Sequence, residues 1–128
     1  MLNVYIYLQQ IFSSKSQIRK NLLHKILDVS LRHYLNYYST FLFNEDERMD
    51  FIFDNNHLIF GLSNKNSLFK EYSILSTGER KKLEIILILG LNSLINNINR
   101  PKLNLFIFDE FFDGLDEESV NGLMDLLN

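Results

Sequence analysis

The chain has 128 residues, 46% of them hydrophobic and 13% aromatic, with a net charge of -3 and no cysteine. That is enough for one small domain with a modest core, and too apolar for a disordered chain. The charge removes any global electrostatic case for nucleic-acid binding, and the lack of cysteine, with only three scattered histidines, leaves no disulfide and no thiolate or histidine metal site.

Residues 1–12 are apolar but carry neither a basic leader nor a small-residue cleavage site, so they do not read as a signal peptide. The longest apolar run, 85–91, is far too short to cross a bilayer. A cytoplasmic protein without a membrane span is the expectation. From 16 to 38, Ile18, Leu22, Leu23, Ile26, Leu27, Val29, Leu31, Tyr34 and Leu35 recur at helical spacing, with Lys and Arg on much of the other face. The pattern predicts one long amphipathic helix, reaching back towards Val4. It is either a core-packing helix or the end of a coiled coil running into a globular head.

The polar stretch 44–48 breaks the pattern. Two β-rich runs follow, 49–53 and 57–62, around Asp54-Asn55-Asn56, whose residues tolerate left-handed backbone; a hairpin is predicted. A polar loop spans 63–67, and 69–75 leads to Leu75-Ser76-Thr77-Gly78-Glu79-Arg80. Ser76 can cap a helix here, and Glu79 three positions on completes a capping box. The same physics has a functional form: an exposed helix start with a hydroxyl, and a glycine permitting close backbone approach, can hold a phosphate. The helix itself is predicted over 78–97, buried on nearly all sides, with Leu83, Ile86, Leu87, Leu91, Leu94 and Ile95 on one face. Asn96, Asn97, Asn99 and Pro101 end it.

The run 103–108 reads as a buried parallel strand that ends in Asp109-Glu110. Two adjacent acids at a strand's C-terminal end repel unless a cation is near. Mg²⁺ at Asp109 would relieve that, leaving Glu110 free to orient or deprotonate a water. The alternative is a strand end with a solvated acidic turn. Asp113-Gly114-Leu115-Asp116 then forms a turn, with Asp116 a candidate N-cap for a last helix over 119–127.

In this order, the three motifs resemble those of the ABC-type ATPases: an LS-x-G-E signature, a helix, hhhhDE (Walker B) and LD (D-loop). Ser76-Thr77-Gly78-Glu79-Arg80-Lys81-Lys82, and Phe111 after the Walker B Glu where transporters often have Pro, are more similar to the chromosome-maintenance and DNA-repair branch. The long helix and hairpin before the signature look like the C-terminal head lobe of SbcC-like repair ATPases, with a likeness to the large subunits of phage recombination endonucleases. The resemblance implies an α/β fold: a partial sheet with its signature helix, as the lobe over 44–128, preceded by a helix or coiled-coil end over 1–43. It implies ATP and Mg²⁺ as ligands. Ser76, Thr77, Gly78 and Glu79 would form the signature, its first three residues contacting the γ-phosphate of ATP held by the opposing head. Asp109 would help bind Mg²⁺, Glu110 would be the catalytic base or would position the water, and Asp116 would act in the D-loop across a head–head dimer. Arg80, Lys81 and Lys82 would support the nucleotide site, face DNA or simply solvate the helix, with solvation the preferred reading for the two lysines.

No G-x-x-x-x-G-K-[ST] occurs: Gly61, Gly78, Gly90, Gly114 and Gly122 have no lysine placed to make a phosphate-binding loop. The family's switch histidine is also not reached, and Thr77 stands where Gly is commoner. A P-loop-bearing N-terminal ATPase lobe is therefore the expected partner. A metal-dependent nuclease subunit is the family's usual companion, with DNA met through the assembled complex and the host cytoplasm as location if the source is a phage. A strand expecting cover on both faces predicts an adhesive protein. The competing reading is a non-catalytic or truncated interaction protein that regulates an ATPase head.

Overall fold

A computed structural model describes residues 17–55, 57–66, 68–98, 107, 109–110 and 112–127. The first helical stretch comprises α1 (Gln17–Ile26), a π-helical segment (Leu27–Leu31) and α2 (Arg32–Leu42). The backbone N–H of Arg32 donates to the carbonyl of Leu27, five residues back, which is the π-type bond. The predicted helix thus continues beyond Tyr38, while its extension towards Val4 falls outside the described residues.

Its two halves have different fates. In α2, Leu35 and Leu42 are buried, as is Leu31 just before it. In α1 no residue is buried, and Ile18, Leu22 and Leu23 are exposed, as is Val29 in the π segment. The apolar stripe read as continuous from the sequence is therefore covered along only half its length. The π segment inserts a residue into the repeat and rotates the α1 stripe away from the core.

The sheet is antiparallel, in the order β1 (Glu47–Asp54), β2 (His57–Asn64), β3 (Phe69–Glu71). The predicted hairpin forms, with Asp54 paired to His57 and Asn55 at a φ of 45°. The left-handed geometry suits asparagine. β3 forms where the sequence suggests only a lead-in, because three residues, Phe69-Lys70-Glu71, are too few to show an alternation. It lies close over β2, where a Cβ on Gly61 would overlap the Lys70 carbonyl. Met49, Phe51 and Leu62 turn inward from the hairpin. Arg32 ties α2 to β1: it pairs with Asp28 and Asp50, donates to the Phe51 carbonyl at 3.3 Å and lies 4.4 Å from the Phe51 ring centre.

A 3-10 turn (Tyr72–Ile74) leads into α3 (Thr77–Ile98), and α4 (Glu117–Leu127) is last among the described residues. α2 is the hub, packed against β1, α3 and α4. Leu83, Ile86 and Leu94 of α3 are buried as expected, but Leu91 and Ile95 face outward with Ile88, and their inward places go to Ile85 and Leu89. Apolar residues run almost all round this helix, so periodicity does not fix which face turns inward. At α2–α4, Gly122 meets backbone: a Cβ there would overlap the Phe41 carbonyl oxygen.

The predicted strand over 103–108 lies outside the described residues except at Ile107. That residue belongs to no strand and is 86% exposed. The strands in the described residues are the antiparallel three, so no parallel neighbour there can cover it. No helix of the described residues is long and apolar enough to cross a membrane.

Candidate functional site

The start of α3 is built by its own side chains. The Ser76 backbone N–H donates to Glu79 Oε2 at 2.8 Å, the Ser76 hydroxyl donates to the same oxygen at 2.6 Å, and the Glu79 N–H donates back to Ser76 Oγ at 3.3 Å. This is the capping box read from the sequence. The hydrogen bonds from the Ser76 hydroxyl and backbone hold the Glu79 carboxyl below its ordinary 4.5. Ser76 and Thr77 are exposed and Gly78 is half-buried, so the cap sits at the surface.

The second piece is the loop that runs from Asp109 to α4. Both Asp109 and Glu110 are exposed. Glu110 has a φ of 50°, and Gly114 one of 81°. A left-handed glutamate is uncommon, because its Cβ crowds the following carbonyl. Its carbonyl accepts from the Asp113 N–H at 3.3 Å and from Lys81 Nζ at 3.3 Å. At the loop's far end, Asp116 Oδ1 accepts from the Ser119 N–H at 2.8 Å and the Ser119 hydroxyl at 2.6 Å, the N-cap expected of it. Its other oxygen lies 3.2 Å from Lys82 Nζ. The Ser119 hydroxyl and N–H, then the Lys82 ammonium, lower the Asp116 carboxyl from 3.8 to about 2.

The fold brings these two pieces together. A Cβ on Gly78 would stand 3.5 Å from the Gly114 carbonyl oxygen, an ordinary contact. Ser76, Thr77, Gly78 and Glu79 thus share one edge of the molecule with Glu110 and Asp116. Arg80 turns back from that edge, donating to the Ser73 carbonyl at 2.7 Å with its guanidinium 5.5 Å from the Tyr72 ring centre.

Lys81 and Lys82 depart from the sequence reading. They do not simply solvate the helix: Lys82 keeps 16% of its side-chain surface, and both reach the loop at Glu110 and Asp116. Lys81 and Glu110 are 29 residues apart, so no local spacing announces the contact.

Among the described residues, no group of three or more His, Cys, Asp or Glu side chains could hold a metal ion. Mg²⁺ is commonly held by one or two carboxylates plus phosphate oxygens and water, so it would need no more from the chain than a carboxylate such as that of Asp109.

A solved structure described as "structural biochemistry of ATP-driven dimerization and DNA stimulated activation of SMC ATPases" has the same fold: TM-score 0.67 at 16% sequence identity, over 84% of this chain. This chain spans 64% of that one's length. No curated protein matches it in sequence. The family described as "SbcC/RAD50-like, Walker B motif" matches residues 30–128, most of the chain and all of the candidate site. The chain therefore belongs to the SbcC/RAD50-like Walker B family, with the α/β fold of part of an SMC ATPase head.

Proposed function

We propose that the chain supplies the signature, Walker B and D-loop parts of an SMC-like ATPase head, and that it hydrolyses ATP together with a P-loop-bearing N-terminal lobe. The observation that carries this is the convergence of the α3 start and the 109–116 loop on one exposed edge, joined at Gly78–Gly114, Lys81–Glu110 and Lys82–Asp116. A capping box alone needs no such neighbour. In a head dimer the helix start would serve the opposing head's nucleotide and the acids that of their own head, so a chain that supplies both has to hold the two pieces in a fixed relation.

On this reading Ser76, Thr77 and Gly78 receive the γ-phosphate of ATP held by the opposing head of a dimer, with Glu79 holding the Ser76 hydroxyl in place. Asp109 holds Mg²⁺, which supplies charge neutralisation at the phosphates. Glu110 orients the attacking water or takes its proton; the loop presents its carboxylate to solvent, where a water can reach it. Asp116 sits where the D-loop meets the opposing head. The exposed Ile18, Leu22 and Val29 stripe fits the end of a coiled coil that leaves the head. The family's work couples this hydrolysis to DNA end processing, recombination or repair, in the cytoplasm, with a metal-dependent nuclease subunit as companion and DNA bound through the assembled complex.

The test is ATP hydrolysis by the chain mixed with a P-loop-bearing lobe of this family, beside a Glu110→Gln control. The expected outcome is activity that needs both parts and falls by about 100-fold or more in the control. A stable complex with no ATPase activity would sink the enzyme reading. It would leave a protein that binds a head and regulates it.

A further inference from the structure

We propose that Lys81 and Lys82 are positioning residues: they staple the start of the signature helix to the loop carrying Glu110 and Asp116, so that phosphate contact at Ser76 and the setting of Glu110 change together. The proposal deepens the nucleotide-site reading above and rests on it.

The φ of 50° at Glu110 is one that a non-glycine side chain keeps only when its surroundings hold it there. The Asp113 N–H closes the turn on the Glu110 carbonyl from within the loop. Lys81 Nζ, at 3.3 Å, is the donor that reaches the same oxygen from another element. It therefore holds Glu110 through its backbone carbonyl rather than through its carboxylate.

Lys82 secures the other end of the loop. Its ammonium lies 3.2 Å from Asp116 Oδ2 and 5.4 Å from the Phe43 ring centre, with the side chain mostly covered. Asp116 Oδ1 is already committed to Ser119. One carboxylate thus joins the start of α4 to the second turn of α3. Between the two lysine contacts, Gly78 faces the Gly114 carbonyl. Consecutive lysines on one helix grip opposite ends of one loop.

The consequence follows from which nucleotide each end serves. In a head dimer, Ser76 faces ATP held by the opposing head, while Glu110 faces the ATP of its own head. A displacement of the α3 start by one phosphate is carried through the staple to the carboxylate at the other nucleotide. Such a link is a coupling free energy, and it acts in both directions.

The experiment uses Lys81→Met and Lys82→Met, which keep the aliphatic stems, and Lys81→Arg, which keeps a donor. On the chain alone, amide exchange at Asp113 and Leu115 should quicken by about fivefold in the methionine variants, the worth of one modest hydrogen bond, while the buried part of α3 stays unchanged. With the P-loop lobe added, Lys81→Met should lower kcat about fivefold, leave KM for ATP unchanged and reduce the Hill coefficient; Lys81→Arg should restore all three. Wild-type exchange at both amides in both variants overturns the staple. A rise in KM alone, or a kcat loss that arginine does not rescue, overturns the positioning role. A wild-type mixture that hydrolyses no ATP overturns the nucleotide reading and takes the coupling with it, while exchange still reports separately whether the lysines hold the loop.

Discussion

Asp116 does two things with one carboxylate, capping α4 through Ser119 and pairing with Lys82, and both favour its charged form. Its folded pKa of about 2 lies below the ordinary 3.8. The stability it adds is therefore present above about pH 4 and is lost as pH falls through 2. The side chain is 61% exposed, so solvent screening keeps the charge contribution to roughly 0.5 kcal/mol. Asparagine still caps but carries no charge. Thermal melts of wild type and Asp116→Asn should thus differ slightly at pH 6 and converge at about pH 1, where the carboxyl is protonated in both states; a gap that persists there would mean the charge is not its cause. Gly78 gives a second residue-level test, because the chain itself leaves room for a methyl group there. Gly78→Ala should keep the melting temperature or raise stability by up to about 1 kcal/mol through helix propensity. ATPase activity with the P-loop lobe should nevertheless fall by about tenfold if the Gly78 backbone contacts the γ-phosphate as proposed, because a side chain there restricts the close approach that a glycine permits. Unchanged activity would leave the motif as a helix cap and nothing more.

Between elements, two small residues set how closely α2 is approached. Ser39, fully buried, donates to the Leu35 carbonyl at 2.7 Å and accepts from the Met49 N–H at 2.9 Å, joining α2 to β1. Ser39→Ala strands a buried N–H and should cost about 1–3 kcal/mol in a urea titration. Gly122→Ala drives a Cβ into the Phe41 carbonyl and should cost about 3 kcal/mol, or detach α4 altogether, read from the same titration. Neither contact was visible in the sequence, since each depends on what the fold places opposite. What was legible had a local cause. The hairpin showed two β-rich runs with asparagine between them, and both helix starts showed Ser or Asp before Glu or Ser. The orientation of α3 was not legible because apolar residues encircle it, and β3 was too short to carry a period. At the candidate site, the two caps could be read from neighbouring residues. The lysine contacts could not, because their partners come from a distant loop.

At the scale of the molecule, the described surface carries apolar residues that the chain does not cover: Ile18, Leu22 and Val29 on the first helical stretch, Ile88 and Ile95 on α3, and Ile107 beside the paired acids. So many exposed large apolar side chains favour cover by a partner. The isolated chain should therefore bind an environment-sensitive apolar dye and self-associate in light scattering, and a P-loop lobe should suppress both. A monodisperse monomer that leaves the dye dark would contradict this. The π segment gives this surface a further property. α3 packs against that segment, and Gly90 faces Leu31 and Leu35 at the crossing. In an α-helix each residue advances the face by about 100°. One extra residue in a turn therefore works as a phase shifter, setting the outward row of α1 and the inward row of α2 on different bearings along one rod. The turn that sets this phase is seated on α3. Deleting one residue from 27–31 would swing the outward row by about 100° without altering either stripe's sequence, separating what this rod touches from how it is wound.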